Sequence, residues 1–327
     1  MRDFQILSLS GGGYGGLYTA AVLAEFERKC GQPIGRCFEV IAGTSIGGII
    51  ALAIGFEVPM DEIVNLFKSE GLNIFPRRGN KWLQKKFNLF VDFNKPFYSL
   101  EKLRSLIEKI LDKDAKLGDS KHPLLIPAIN LTQGKPQVFK TRHYEDIERD
   151  PLLNAIDIAL ATAAAPTFFP PARINDCLYV DGGLVATSPD LIALHEASHF
   201  LKQAPENILM LSIGTTNTKY SIADDPRNSY GLEFWLADEE NRLPKTFLSA
   251  QQQFTLQITK HILGEGYIRV DTAPSPEQVK FLGLTEASPI AQTTLLGLGK
   301  KDATDALGNP IVREALKHTA KNLLMKG

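Results

Sequence analysis

The chain has 327 residues, 44% of them hydrophobic and 22% charged, which supplies core material for one large or two moderate domains and excludes a disordered chain. Its 36 basic and 37 acidic side chains leave a formal charge of −1, without the basic excess of a general nucleic-acid binder. Cys30, Cys37 and Cys177 are odd in number and lack framework spacing, so they read as reduced, buried thiols of a cytoplasmic protein.

The chain opens MRDFQILSLSGGG, whose apolar run is too short for a signal peptide and reads as a first strand, FQILSLS. A helix follows in GLYTAAVLAEFERKC, then a strand in CFEVIAG and a helix in SIGGIIALAIGF. The apolar run from Ile46 to Phe56 has about half the length that spans a bilayer, so it reads as a buried helix. PMDEIVNLFKSEGLNIF, with Pro59 near its start, and SLEKLRSLIEKILD, opening at Ser99, have helical spacing. PLLIPAINL, TQGKP and QVFKT form a hairpin pattern, and LLNAIDIALATAAA is a helix ended by Pro166. CLYVDGG is a strand running into a tight turn, DLIALHEASHFLK a helix and NILMLSIGTT a buried strand. This alternation predicts an α/β fold with a mostly parallel central sheet and helices on both faces. After Thr218 the chain becomes polar and turn-rich, then largely helical with one short strand candidate, GYIRVD. A boundary is placed there, with residues 218–327 as a helical cap or interface region through which the chain is expected to self-associate.

Three Gly-rich turns follow apolar strands. In SGGGYGG, Gly11, Gly13 and Gly16 fit a dinucleotide-binding pattern, but the next strand ends in Gly43-Thr44-Ser45 where a ribose-binding carboxylate is needed. The loop also lacks the Lys-Ser/Thr ending of a phosphate-binding P-loop. GTSIG sets Ser45 between Gly43 and Gly47, after an apolar strand and before an apolar helix, which is the context of a nucleophile elbow; the alternative is an ordinary turn with a capping serine. The hydroxyl needs a base. None of His122, His143, His195, His199, His261 and His318 stands in a strand-end or Gly-rich setting, and His122 and His143 read as surface residues. Asp181, followed by Gly182 and Gly183, is the other candidate base, against the reading of a plain Asp-Gly turn. In one parallel sheet the Gly loop, Ser45 and Asp181 would meet at the rim formed by strand C-terminal ends.

Two further stretches carry chemical signals. HEASH, from His195 to His199, matches a zinc-protease pattern with Glu196 as base, but no third ligand is evident and no metal is expected. Asn73 to Tyr98 interleaves Arg77, Arg78, Lys81, Lys85, Lys86 and Lys95 with Trp82 and several phenylalanines. That suits an anionic membrane surface, an anionic nucleotide, or a basic solvated face over core aromatics.

SGGGYGG, GTSIG and DGG in this order, with ATAAAPTFFPP before the last, resemble the patatin-like phospholipases over roughly residues 4 to 215. The resemblance implies a three-layer α/β/α patatin-like fold with residues 4–217 as the catalytic domain. It implies a Ser–Asp dyad without histidine, with Ser45 as nucleophile and Asp181 as base. Gly11, Gly12 and Gly13 would belong to the oxyanion-hole loop, supported by Gly16, Gly43, Gly47, Gly182 and Gly183. No cofactor is implied. SLSGGGY, IAGTSIGGIIALAIG, PAINLTQGKPQVFKT and DGGLVATSPDLIALHEA are similar to bacterial patatin-like effectors of cyclic-oligonucleotide anti-phage (CBASS) systems. That closer likeness implies a cyclic di- or trinucleotide activator, membrane phospholipid as substrate, and a cytoplasmic protein peripheral at the inner membrane when active. A constitutive lipid acyl hydrolase and a catalytically impaired nucleotide-binding regulator are the alternatives. One departure stands out: patatin-like loops commonly carry Arg or Lys where this chain has Gly15.

Overall fold

The computed structural model describes residues 2–75, 95–216, 219–226, 229–237 and 242–325. Strand β1 (Phe4–Leu9) is buried along its whole length and lies inside the sheet, parallel to β2 (Val40–Gly43) on one side and β7 (Ile208–Ile213) on the other. Strand β3 (Leu124–Asn130) extends the parallel set beyond β2, and β8 (Tyr267–Val270) extends it beyond β7. Strand β4 (Lys135–Lys140) returns antiparallel along β3 as the expected hairpin. Because neighbouring side chains on a strand point to opposite faces, β1 feeds two cores. Phe4 and Ile6 pack with Ala193, Leu194 and Leu263, whereas Leu7 and Leu9 pack with the helices of the opposite layer.

The opposite layer is built from α1 (Gly16–Cys30), α2 (Ile46–Gly55), α3 (Met60–Ile74) and α5 (Ala155–Ala163), with α9 (Pro289–Gly308) laid along α1. Every residue of α2 is buried, as its uniformly apolar sequence requires. Asn154 starts α5 by accepting from the amides of Ile156 and Asp157. Helix α1 ends at Gly31, whose φ of 69° closes the last turn. Ser99 caps α4 (Leu100–Ile107), which stops short of the longer helix that its spacing suggests. The other face carries α6 (Gly183–Ala186), α7 (Asp190–His195) and α8 (Arg242–Leu263). The result is three layers, α/β/α. Residues beyond 218 are mostly helical, but β8 joins the central sheet, so the sheet is continuous across that point.

One expectation about topology is corrected. Strand β5 (Ala172–Ile174) and strand β6 (Cys177–Asp181) form an antiparallel hairpin, and β6 pairs antiparallel with β3, Asp181 opposite Ala128. Asp181 therefore does not reach the rim as the end of a parallel strand. Strand β3 overruns its pairing with β2, which ends at Ala42 opposite Leu125, and β6 runs back along the overhang from Asn130 to Ala128. The carboxylate arrives at the rim on an antiparallel strand of the same sheet.

Candidate active site

Ser45 sits between β2 and α2 with φ 55° and ψ −124°, a left-handed backbone that costs a non-glycine residue about 1–3 kcal/mol. The close approach of α2 to the sheet imposes this turn. A Cβ on Gly47 would lie 2.4 Å from the Leu9 carbonyl oxygen, and one on Gly43 would lie 2.1 Å from the Gly47 oxygen. Thr162, in the last turn of α5, holds the strained residue. Its Oγ1 accepts from the Ser45 amide at 3.0 Å and donates to the Pro127 carbonyl of β3 at 2.6 Å. The same residue's carbonyl accepts from the Gly182 amide at 3.3 Å, and Ala164 O accepts from the Asp181 amide at 3.0 Å. One helix end thus fixes both Ser45 and Asp181.

The two side chains, 136 positions apart in sequence, meet: Ser45 Oγ donates to Asp181 Oδ2 at 2.6 Å. The other carboxylate oxygen accepts from the Gly183 amide at 2.6 Å. Asp181 is only 6% exposed, and burial pushes its carboxyl up to about 6, against the opposing pull of the Ser45 and Gly183 hydrogen bonds. A carboxylate with that pKa is charged at neutral pH and basic enough to accept a proton from an attacking hydroxyl.

The Gly loop lies against this pair; a Cβ on Gly11 would come within 3.2 Å of Ser45 Cβ. Its amides divide into engaged and free donors. Gly11 donates to the Thr187 carbonyl at 2.8 Å and Tyr14 to Leu284 O at 2.8 Å. The Gly11 amide is therefore engaged within the protein, so Gly11 belongs to the loop without offering a free donor. The amides of Gly12 and Gly13 have no protein acceptor among the described residues. Gly13 adopts φ 55°, and a Cβ there would lie 2.1 Å from Leu284 O, so glycine is required on both counts. At Gly15, a Cβ would lie 2.6 Å from Thr215 O; the exit of β7 occupies the space that a basic side chain would need.

The histidines stand apart from this pair. His143 is buried, not superficial: its ring is hydrogen-bonded to Glu196 Oε1 at 2.9 Å and to Thr141 Oγ1 at 3.2 Å. His122 is also buried, 3.3 Å from Glu57. In HEASH, Glu196 is held by His143 and by Lys140 Nζ at 2.6 Å, while the His195 and His199 rings stack 5.1 Å apart. Among the described residues no cluster of three or more potential metal-ligating His, Cys, Asp or Glu side chains forms. Cys37 is buried, whereas Cys30 and Cys177 are only partly so, and all three are free thiols. Most of the basic-aromatic stretch, residues 76–94, lies outside the described residues. Sequence reasoning missed Thr162, although a lone hydroxyl in the alanine-rich run before Pro166 is a signal that could have found it; the division of the glycine amides had no sequence signal.

The patatin-like phospholipase family matches residues 7–194, more than half of the chain. The chain belongs to that family and is a lipid acyl hydrolase. Over nearly its full length it is 36% identical to a cGAMP-activated phospholipase of Pseudomonas aeruginosa, covering 97% of this chain and 93% of that one. Proteins of the same description from Vibrio cholerae and Escherichia coli are each 33% identical, over 93% and 91% of this chain and 91% and 88% of theirs.

Proposed function

We propose that this chain hydrolyses acyl esters of membrane phospholipids through Ser45 and Asp181, and that a cyclic dinucleotide of the cGAMP type switches it on as an anti-phage effector. The observation that carries the reading is the 2.6 Å hydrogen bond between Ser45 Oγ and Asp181 Oδ2. Asp181 takes the hydroxyl proton as Oγ attacks the ester carbonyl. The tetrahedral oxyanion forms against the amides of Gly12 and Gly13, and each such donor is worth on the order of 3 kcal/mol in acyl transfer. Collapse breaks the bond to the leaving alkoxide, which takes the proton from Asp181 and departs as the lysophospholipid. Water then gives a proton to Asp181, attacks the acyl-serine and releases the fatty acid, and the proton returns to Ser45 Oγ.

The relatives' descriptions support the activator, since the likeness extends through the residues beyond the family match. Among the described residues no helix is long and apolar enough to cross a membrane, and the proposed contact with the inner leaflet is peripheral, from the cytoplasmic side. Self-association through the helices beyond residue 218 is part of the same proposal.

The test is fatty-acid release from phosphatidylethanolamine–phosphatidylglycerol vesicles by the wild type and Asp181→Ala, with cGAMP and a panel of cyclic di- and trinucleotides. Release by the wild type only with a cyclic nucleotide, and none by the variant, is expected. Equal release without any nucleotide marks a constitutive hydrolase. Tight nucleotide binding without release across the whole panel marks a regulator and overturns the enzymatic reading.

A further inference from the structure

Helix α6 begins directly behind Asp181, and its last turn is open. In an uninterrupted helix the Thr187 amide would donate to the Gly183 carbonyl. Here the Gln251 side chain of α8 lies in that place: its Oε1 accepts from the Thr187 amide at 3.2 Å, and its Nε2 donates to Gly183 O at 3.1 Å. Thr187 Oγ1 donates to the same carbonyl at 3.0 Å. A side-chain amide spliced into a helix ladder ties the geometry of that turn to the element that supplies it.

The turn matters because Gly183 faces both ways. Its carbonyl is held by Gln251, and its amide donates to Asp181 Oδ1 at 2.6 Å. The next residue of α8 extends the tie to the other side of the site. Gln252 Nε2 donates to Ser188 Oγ at 3.0 Å, and Ser188 Oγ is 2.7 Å from Ser10 Oγ, adjacent to the Gly loop. Helix α8 lies after the last residue of the family match, in the region that the general patatin pattern does not cover.

We propose that Gln251 is a positioning residue for Asp181: by splicing α8 into the last turn of α6 it holds the Gly183 amide on the carboxylate, so that the placement of α8 sets the strength of the base. The inference rests on the Ser45–Asp181 reading above. When α8 withdraws, the turn closes onto its own Thr187-to-Gly183 hydrogen bond, the φ and ψ of Gly183 change, and the preceding peptide, which carries its amide, turns away from the carboxylate. Asp181 then loses a hydrogen bond that favours its charged form, and its pKa rises.

The experiment is the rate of Ser45 phosphonylation by a fluorophosphonate, in which Oγ bonds to phosphorus and fluoride leaves, followed from pH 5 to 8.5 with and without cGAMP, which requires neither lipid nor membrane. Gln251→Leu is expected to label at least about tenfold more slowly than wild type at pH 6.5, with its rising limb displaced to higher pH. Gln251→Glu keeps the acceptor for Thr187 but loses the donor to Gly183, and is expected to fall between the two. Gln253→Leu, the same exchange on α8 outside the splice, is the control and labels as wild type. Labelling of Gln251→Leu within twofold of wild type on an unmoved limb overturns the proposal. So does a Gln251→Leu that fails to fold while Gln253→Leu folds, because the residue then serves the fold and not the base. Wild type labelling no faster than Ser45→Ala in any condition overturns the dyad itself, an outcome distinct from the other two.

Discussion

Asp181 and Asp190 are both buried at the same sheet, and the protein treats them in opposite ways. Asp190, at the start of α7, is surrounded by hydroxyl donors: Ser8, Ser212 at 2.9 Å and Tyr267 at 2.5 Å, from three adjacent parallel strands. Nearby, Arg269 of β8 donates to Ser10 and Ser212 and pairs with Asp271 at 2.7 Å. Asp181 has one hydroxyl and one amide, and the hydroxyl belongs to a residue held in a strained conformation. Burial without full compensation raises a carboxyl pKa. One aspartate is saturated and holds strands together; the other is left short of partners, beside two amides that have no protein acceptor among the described residues. The proposed dyad lies where the fold has withheld hydrogen bonds.

The largest expected effect breaks the reactive side alone. Ser45→Gly should reduce ester hydrolysis by roughly 10³-fold or more while raising the melting temperature, since glycine accepts φ 55° without strain. A variant that loses activity and also melts earlier would contradict the assignment of strain to this residue.

Asp181→Asn comes next, with a loss of roughly 10³-fold in kcat. It also has a thermodynamic signature. The folded-state pKa of about 6 lies above the ordinary 3.8, so the native protein holds a proton that the unfolded chain has already released between those values. Wild-type stability from this group is therefore intact below about pH 4 and lost as the pH rises through 6. Asp181→Asn should be more stable than wild type at pH 7.5, by up to about 3 kcal/mol, and the gap should close toward pH 4. Denaturant melts at the two pH values decide this.

Thr162→Val sharpens the comparison by leaving both Ser45 and Asp181 in place. The exchange strands the Ser45 amide and the Pro127 carbonyl, and kcat is expected to fall about 10- to 100-fold with KM little changed. Thr162→Ser, which keeps the hydroxyl, should recover most of the rate.

Asp190→Asn is the counterpart on the saturated side. It should cost about 3 kcal/mol or more of stability, because two buried hydroxyls and a half-buried one lose a charged acceptor. Activity per folded molecule should change least of all, within about threefold. A specific loss of kcat in a fully folded Asp190→Asn would erase the distinction between the two aspartates.

Much of this contrast was legible in the sequence, though unevenly. Ser45 was plain because an apolar strand, a G-x-S-x-G turn and an apolar helix leave few alternatives for the backbone. Asp181 was legible as a residue, but its strand direction was not. Pairing direction depends on how far β3 overruns its neighbour, which is a tertiary matter with no local signal. The histidines misled for the same reason: His143 looks superficial after a hairpin, yet it is buried by Glu196 from a distant helix. Gln251 left no trace, since one glutamine in a run of three on an amphipathic helix is indistinguishable from a solvated one until its partners are seen. Asp190 stood unmarked before an ordinary helix, and only the register of β1, β7 and β8 collects its donors around it.

The most direct test of the central claim is the pH dependence of kcat/KM for a soluble short-chain ester, measured in the presence of cGAMP on wild type and on Asp181→Asn. A rising limb with an apparent pKa near 6 in the wild type, absent from the residual activity of the variant, is the predicted result. A wild-type rate that is flat from pH 5 to 8, or a limb that survives in Asp181→Asn, would show that another group takes the proton from Ser45.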